Sequence, residues 1–92
     1  MRFEWDEAKN RANILKHSID FTDVVKLFDQ PILTVQDSRT DYAEERWIAI
    51  GWLEVTVAVV VYTERHRDTV RLISARKATR QEAKRYVEYL EN

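Results

Sequence analysis

Cysteine is absent from this chain of 92 residues, and glycine, proline and methionine occur once each. Without cysteine the chain forms no disulfide and has no thiolate nucleophile, and two histidines alone predict no structural zinc site. Long apolar runs are also missing. The longest, Val55–Tyr62, is too short to cross a membrane, and the first ten residues do not resemble a signal peptide. We therefore expect one soluble, cytoplasmic domain over residues 1–92, with no metal and no cofactor.

Positive charge is scarce in most of the chain and concentrated in one segment. Residues 65–85 contain eight Lys or Arg against two acids, whereas the other residues contain seven against fourteen. The net charge of −1 therefore conceals a strongly basic region. Clustered positive charge attracts phosphate through Coulomb force and counterion release, so we expect a polyanion to bind this segment.

The N-terminal third predicts two helices. Asp6 is placed to cap a helix that runs to about His17. A second helix is expected over Thr22–Asp29, with Asp20 or its first residue as the cap and Pro31 after its end. The residues expected to be buried are Ala8, Ala12 and Leu15 in the first helix and Val24, Val25 and Phe28 in the second.

The middle of the chain predicts strands. The valine-rich segment Leu53–Tyr62 has no polar alternation, which is typical of a central strand covered on both faces. Gly51, the only glycine, predicts a tight hairpin turn over residues 51–54. In the last strand, residues 70, 72, 74 and 76 are expected to share one face. The expected strands are Phe3–Trp5, Ile32–Val35, Arg46–Ile50, Leu53–Tyr62 and Thr69–Arg76, with an acidic loop over Asp37–Glu45.

The C-terminal helix has the clearest local pattern. Thr79 and Glu82 have the spacing of a capping box, in which each side chain binds a backbone amide at the other residue. We expect Ala83, Tyr86, Val87 and Leu90 to pack on the sheet. The predicted class is α+β: two N-terminal helices, an antiparallel sheet, and a C-terminal helix packed on that sheet.

Several segments, spread over nearly the whole chain, resemble the BrnT toxins. Where these toxins usually have glycine after the Lys-His pair, this chain has Ser18, at a helix end that glycine suits best. The segments that carry the resemblance are Phe3–Asp6 with Lys9 and Asn13, Lys16–His17, Glu45–Gly51, Val59–Arg65, and Arg71–Ala78 with Glu82 and Tyr86.

The resemblance implies a RelE/ParE-type fold and the toxin role in a type II toxin–antitoxin pair. It also implies RNA cleavage that arrests growth, and a BrnA-like ribbon-helix-helix antitoxin as the partner. A heterotetramer of toxin and antitoxin is expected, and promoter DNA is expected to be bound only through the antitoxin.

RNA cleavage without a metal requires a base, a cation at the phosphorane-like charge, and an acid for the leaving oxygen. Arg76, at a strand end just before a helix, is our first candidate for the cation. Its alternative role is an ion pair with Glu82 or Asp6. Arg65, in a turn after the central strand, is the second candidate, and its alternative is a solvated turn charge.

His17 and Glu45 are the candidates for proton transfer. An imidazole can accept and donate a proton, although a histidine at the end of a helix can instead interact with the helix dipole. Glu45 is a possible base or a solvated acid at the end of a loop. The candidate RNA-binding residues, each of which can instead be an ordinary surface charge or ion pair, are Lys9, Lys16, Arg46, Arg71, Lys77 and Arg80.

Two other functions fit the same charges. In one, the chain binds nucleic acid without cleaving it, and a steep salt dependence of binding without cleavage would indicate this. In the other, the chain is a protein-interaction domain with no affinity for RNA.

Overall fold

The computed structural model describes residues 1–39 and 43–92, and it has an α+β architecture, as predicted. The middle of the expected acidic loop, residues 40–42, lies outside the described residues. The helices are α1 (Glu7–His17), α2 (Phe21–Val24), a 3₁₀ helix (Val25–Asp29) and α3 (Arg80–Glu91). The strands are β1 (Arg2–Glu4), β2 (Leu33–Gln36), β3 (Trp47–Leu53), β4 (Thr56–Arg65) and β5 (Thr69–Lys77).

Five strands form one sheet in the order β1-β5-β4-β3-β2. Strands β2 to β5 are antiparallel neighbours, whereas β1 pairs in parallel with β5, with Phe3 opposite Val70. The prediction of an antiparallel sheet is therefore correct for four strands and wrong for β1. Its partner lies more than sixty residues away in the chain, and no local pattern indicates the direction of such a pairing.

Both faces of β4 are covered, as predicted for a central strand. On what we call the N-terminal face, α2 and the 3₁₀ helix pack over a core that includes Phe21, Leu27 and Leu72. On the opposite α3 face, Tyr86 packs on Val59 and its neighbours. The α3 core is the smaller of the two, and it leaves part of that face open.

A β-bulge at Ile73 interrupts β5. Val61 pairs with Ser74, and the next residue of β4 pairs with Leu72. This extra residue shifts the side-chain alternation by one position, so Leu72 lies on the N-terminal face and Ser74 and Arg76 lie on the α3 face. The prediction of one common face for residues 70, 72, 74 and 76 is therefore wrong, because it assumed an unbroken strand.

Gly51 lies inside β3, where it pairs with Ala58, and the hairpin turn predicted there is wrong. A Cβ atom at this position would lie 3.0 Å from Ile32 Cγ2 and 3.2 Å from Leu27 Cγ. Close packing of the 3₁₀ helix therefore requires the absence of a side chain. The turn comes three residues later, where Glu54 has a positive φ of 56°.

The buried face of α1 is polar, which the sequence did not predict. Asn10 and Asn13 are buried, whereas Leu15 is 88% exposed. Asn13 Nδ2 donates to the Ile19 carbonyl at 2.9 Å, and its Oδ1 accepts from the Ala75 N–H at 3.0 Å. The stripe expected to be buried is wrong because α1 packs against backbone groups that need hydrogen-bond partners. Its members, Ala8, Ala12 and Leu15, are all exposed.

The prediction of one continuous second helix is wrong. One α-helical turn, α2, continues as the 3₁₀ helix, so α1 is the only long N-terminal helix among the described residues. Asp20 caps this segment as expected, and its carboxylate accepts from the Thr22 N–H at 2.9 Å. The fully buried side chains here are Phe21, Val24 and Leu27, and Val25 and Phe28 are half-buried.

The capping box of α3 is confirmed. Thr79 and Glu82 bind each other's backbone amides, and the buried Tyr86 donates to the Pro31 carbonyl at 2.6 Å. The predicted packing of the whole stripe is wrong, because the later turns of α3 are only partly covered. Val87 and Leu90 are 42% and 41% exposed. No helix among the described residues is long and apolar enough to cross a membrane.

Ser18→Gly should stabilise the protein. Ser18 ends α1 in the left-handed conformation, with φ 58° and ψ 31°. That conformation costs a side-chain-bearing residue about 1–2 kcal/mol, part of which the greater chain entropy of glycine offsets. We expect a net gain of roughly 0.5–1 kcal/mol in the free energy of unfolding, measured by urea denaturation. Ser18→Ala, which keeps the Cβ atom, is the control, and an equal gain there would contradict the conformational explanation.

Asn13→Ala should destabilise the protein strongly. The substitution leaves the Ala75 N–H and the Ile19 carbonyl without their side-chain partner. Each buried group left in this way costs about 1–3 kcal/mol, so for the two groups we expect a loss of roughly 2–6 kcal/mol in the free energy of unfolding. Thermal and urea denaturation measure this loss. Arg11→Ala, on the exposed side of the same helix, should change stability by less than about 0.5 kcal/mol.

Candidate functional site

Arg76 lies near the end of β5 on the α3 face and makes a bidentate ion pair with Glu82. Its Nη1 and Nη2 donate to Oε1 and Oε2 of that carboxylate, both at 2.8 Å. The ion pair predicted for Arg76 with Glu82 or Asp6 is therefore formed with Glu82. The Arg76 side chain is 40% exposed and that of Glu82 is 25% exposed, so the guanidinium remains accessible from solvent.

The ion pair sets the protonation of both groups. The hydrogen bonds from Arg76, with help from the backbone of Thr79, lower the pKa of Glu82 to about 2. The same hydrogen bonds raise the pKa of Arg76. A carboxyl group with this pKa is ionised at neutral pH and is a weak base. Glu82 can therefore hold Arg76 in place, but it is unsuited to protonating a leaving group.

A groove of about 240 Å³, which we call the arginine groove, opens beside this pair on the α3 face. Its lining combines three aliphatic residues with Ser74, the two arginines Arg39 and Arg76, and Glu82. Arg39 was not among the sequence candidates, because nothing in the acidic loop distinguishes it from a solvated charge. The groove is lined by Arg39, Ile48, Val59, Val61, Ser74, Arg76 and Glu82.

A second groove of about 250 Å³, the lysine groove, lies between α1 and β5. It brings together His17, Lys9 and Lys16, three of the sequence candidates. Ser74 also borders this groove, so the two grooves adjoin. Its lining consists of Lys9, Ala12, Asn13, Lys16, His17, Ile73 and Ser74.

Arg65 and Glu45 lie away from both grooves. Arg65 is six residues along β4 from Val59, the cross-strand partner of Arg76, which corresponds to about 20 Å. Its Nη2 lies 3.4 Å from Glu44 Oε2, so it pairs with a different carboxylate. Glu45 is exposed just before β3. Arg65 and Arg76 are therefore too far apart to bind one phosphate together, because they lie at opposite ends of the β4–β5 pair.

The other candidates are divided between the two faces. Arg71 donates to Glu4 at 2.7 Å, and strand alternation places it with the half-buried Arg46 on the α3 face. Lys77 lies on the opposite face, in a hollow that includes Glu54. Arg80 is exposed at the start of α3. The basic segment is thus not one continuous patch, because its strand residues alternate between faces.

Within residues 1–39 and 43–92, no three His, Asp or Glu side chains lie together in a way that could hold a metal ion.

Comparison with known proteins identifies the family. A family model described as the ribonuclease toxin BrnT of type II toxin–antitoxin systems matches residues 5–82, which include every residue that lines the two grooves. The structure is similar to the 1.1 Å crystal structure of the Brucella abortus ribonuclease toxin BrnT, with a TM-score of 0.65 and 26% sequence identity. That match covers 87% of this chain and 99% of the other. No curated protein matches the sequence.

The resemblance found in the sequence is thus confirmed independently by a family model and by a solved structure. The chain belongs to the BrnT family of ribonuclease toxins of type II toxin–antitoxin systems.

Proposed function

We propose that the chain is an endoribonuclease of RelE/ParE-type fold that cleaves RNA without a metal ion, at the surface formed by the arginine and lysine grooves. The observation that carries the proposal is the position of Ser74, which borders both grooves. Because the two grooves meet at Ser74, the lysine groove with His17 adjoins the arginine groove with Arg76. An RNA chain that crosses Ser74 meets a titratable group on one side and a fixed cation on the other.

Each step of the cleavage has a candidate residue. The 2′-oxygen attacks the neighbouring phosphorus, the bond to the 5′-oxygen breaks, and the products are a 2′,3′-cyclic phosphate and a 5′-hydroxyl. Arg76 stabilises the negative charge on the phosphorane-like transition state. His17 accepts the proton of the 2′-hydroxyl and then donates a proton to the departing 5′-oxygen. We prefer it to Glu45 for this role because only His17 borders a groove that adjoins Arg76. Lys16 adds positive charge beside it.

The flanking RNA follows the basic residues of the α3 face. Arg71 and Arg46 lie along the open part of that face, and Arg65 extends the same line. Lys9 in the lysine groove and Arg80 at the start of α3 contact the RNA on either side of this line. Lys77 lies outside this track, since it faces the opposite side of the sheet.

A toxin of a type II pair has an antitoxin partner, and we propose that this partner is a BrnA-like ribbon-helix-helix protein in a cytoplasmic heterotetramer. An acidic antitoxin segment complements the exposed arginines of the α3 face. It would inhibit by covering the arginine groove directly. Promoter DNA would be contacted by the antitoxin alone.

Incubation of the purified chain with bulk RNA in excess EDTA tests metal independence. We expect cleavage to persist, with 2′,3′-cyclic phosphate ends detected by mass spectrometry. Loss of cleavage in EDTA, with recovery on addition of Mg²⁺, would contradict the proposal. Salt-sensitive RNA binding without cleavage under any condition would favour a binding module or a requirement for the ribosome.

Arg76→Ala should lower kcat by about 10²–10³-fold, since it removes a preorganised donor from the transition state. Circular dichroism checks that the variant is folded. The matched control is Arg71→Ala, which removes an arginine from the same strand and face that is also paired with a carboxylate. We expect the control to raise KM and to retain kcat. Equal effects on kcat in both variants would mean that Arg76 has no special role in the chemistry.

A further inference from the structure

Arg39 is held in an unusually fixed position for a residue outside any helix or strand. Its Nε and Nη2 donate to Oδ1 and Oδ2 of Asp37, both at 2.8 Å, and its backbone N–H donates to Oδ1 at 3.3 Å. The Asp37 side chain is 0% exposed, whereas that of Arg39 is 65% exposed. A buried carboxylate thus fixes the plane of a guanidinium group that faces solvent.

Arg39 also lies next to Arg76. Both line the arginine groove, and the positive charge of Arg39 opposes the ionisation of Arg76, although less strongly than Glu82 favours it. In each of the two ion pairs the carboxylate is more buried than its arginine. Asp37 is fully buried and does not line the groove, and Glu82 lines it but is less exposed than Arg76. The two arginines are therefore the more exposed charges, a distribution that favours an anion.

The shape and lining of the groove indicate the kind of anion. Its volume of about 240 Å³ is below the roughly 300–1,000 Å³ of pockets for whole small molecules, so it accommodates one small group. The lining offers the aliphatic side chains of Ile48 and Val61 and the hydroxyl of Ser74. The phosphate of a nucleotide, with only the adjoining part of its sugar or base against the aliphatic side chains, matches this combination better than a free inorganic anion.

We propose that Arg39 binds an RNA phosphate, that Asp37 is its positioning residue, and that Arg39 and Arg76 grip the same nucleotide from opposite sides of the arginine groove. This assignment rests on the proposed function, since it adds a substrate-binding residue to the same site. Because Asp37 already fixes the guanidinium plane, Arg39 loses less conformational entropy when RNA binds.

Binding of a short 2′-O-methyl RNA oligonucleotide, which lacks the attacking 2′-hydroxyl, tests the assignment. The dissociation constant is measured at several salt concentrations for the parent and for Arg39→Ala. We expect the variant to bind about 10-fold or more weakly. The slope of log K against log salt should fall by about 0.7, the value for one contact between a cation and a single-strand phosphate. Arg39→Lys should restore the slope but only part of the affinity, because lysine cannot form the two-fold contact.

Arg11→Ala is the matched control. It removes the same charge from an exposed position on the side of α1 opposite the lysine groove, and we expect its affinity to stay within about 2-fold of the parent. An equal loss of affinity in Arg39→Ala and Arg11→Ala would show that only net charge matters, and this would overturn the assignment. An unchanged affinity and salt slope in Arg39→Ala would also overturn it.

The positioning role of Asp37 is tested by a double-mutant cycle. Asp37→Asn should weaken binding in the parent and have no further effect on affinity in the Arg39→Ala background, which a purely structural role would not produce. Equal losses in both backgrounds would overturn the role of Asp37. Because the oligonucleotide is not cleaved, these results stand apart from catalysis. Loss of affinity in Arg39→Ala without RNA cleavage by the parent would contradict cleavage by the isolated chain but not the role of Arg39, whereas cleavage with unchanged affinity would refute the role of Arg39 alone.

Discussion

The buried amide of Asn13 is the interaction on which the position of the site depends. Strand β5 pairs with β1 only from Thr69 to Arg71, so beyond that point its outer edge needs other partners. Asn13 supplies one by accepting from Ala75 N–H, while its amide group donates to Ile19 at the end of the following loop. Since a buried backbone group without a partner is costly, this bridge fixes α1 against β5. His17, on the last turn of α1, is thereby held in the lysine groove, which Ser74 also borders.

The bulge at Ile73 makes the second contribution. Without it, Ser74 would continue the alternation of Leu72 and face the N-terminal core, where a hydroxyl has little use. The extra residue instead turns Ser74 and Arg76 to the open α3 face. There the first turn of α3 supplies Glu82, which both caps the helix and holds the guanidinium. The hydrogen bonds of Asn13 and the bulge at Ile73 together explain why the lysine groove and the arginine groove meet at Ser74.

The features predicted correctly are those with a local physical cause. The capping box at Thr79 and Glu82 and the cap at Asp20 depend on residues within three positions, and the burial of β4 follows from its own composition. The turn predicted at Gly51 is wrong because glycine is needed there for the close approach of Leu27, which local sequence does not indicate. The buried face of α1 was missed for a similar reason. An asparagine that serves a distant strand has the same local appearance as a solvated one.

The candidate site shows the same division. The resemblance to the BrnT toxins directed attention to Arg76 and His17, whose grooves adjoin in the structure. It also directed attention to Arg65, which lies at the other end of the sheet, because separation along a strand becomes apparent only once the register is known. Arg39 was overlooked, since its exposure to the groove depends on the fold of a loop and its orientation on the burial of Asp37.

Three arginines of the α3 face are each paired with a carboxylate, and these pairs affect how the proposed site would bind RNA. Arg71 is paired with Glu4, Arg76 with Glu82 and Arg39 with Asp37. Such pairs reduce the net positive charge and therefore the affinity for any polyanion. They also fix the guanidinium groups before a ligand arrives, so little reorganisation is needed when charge develops on a phosphate. The arrangement exchanges tight binding for preorganisation, which suits the proposed ribonuclease site.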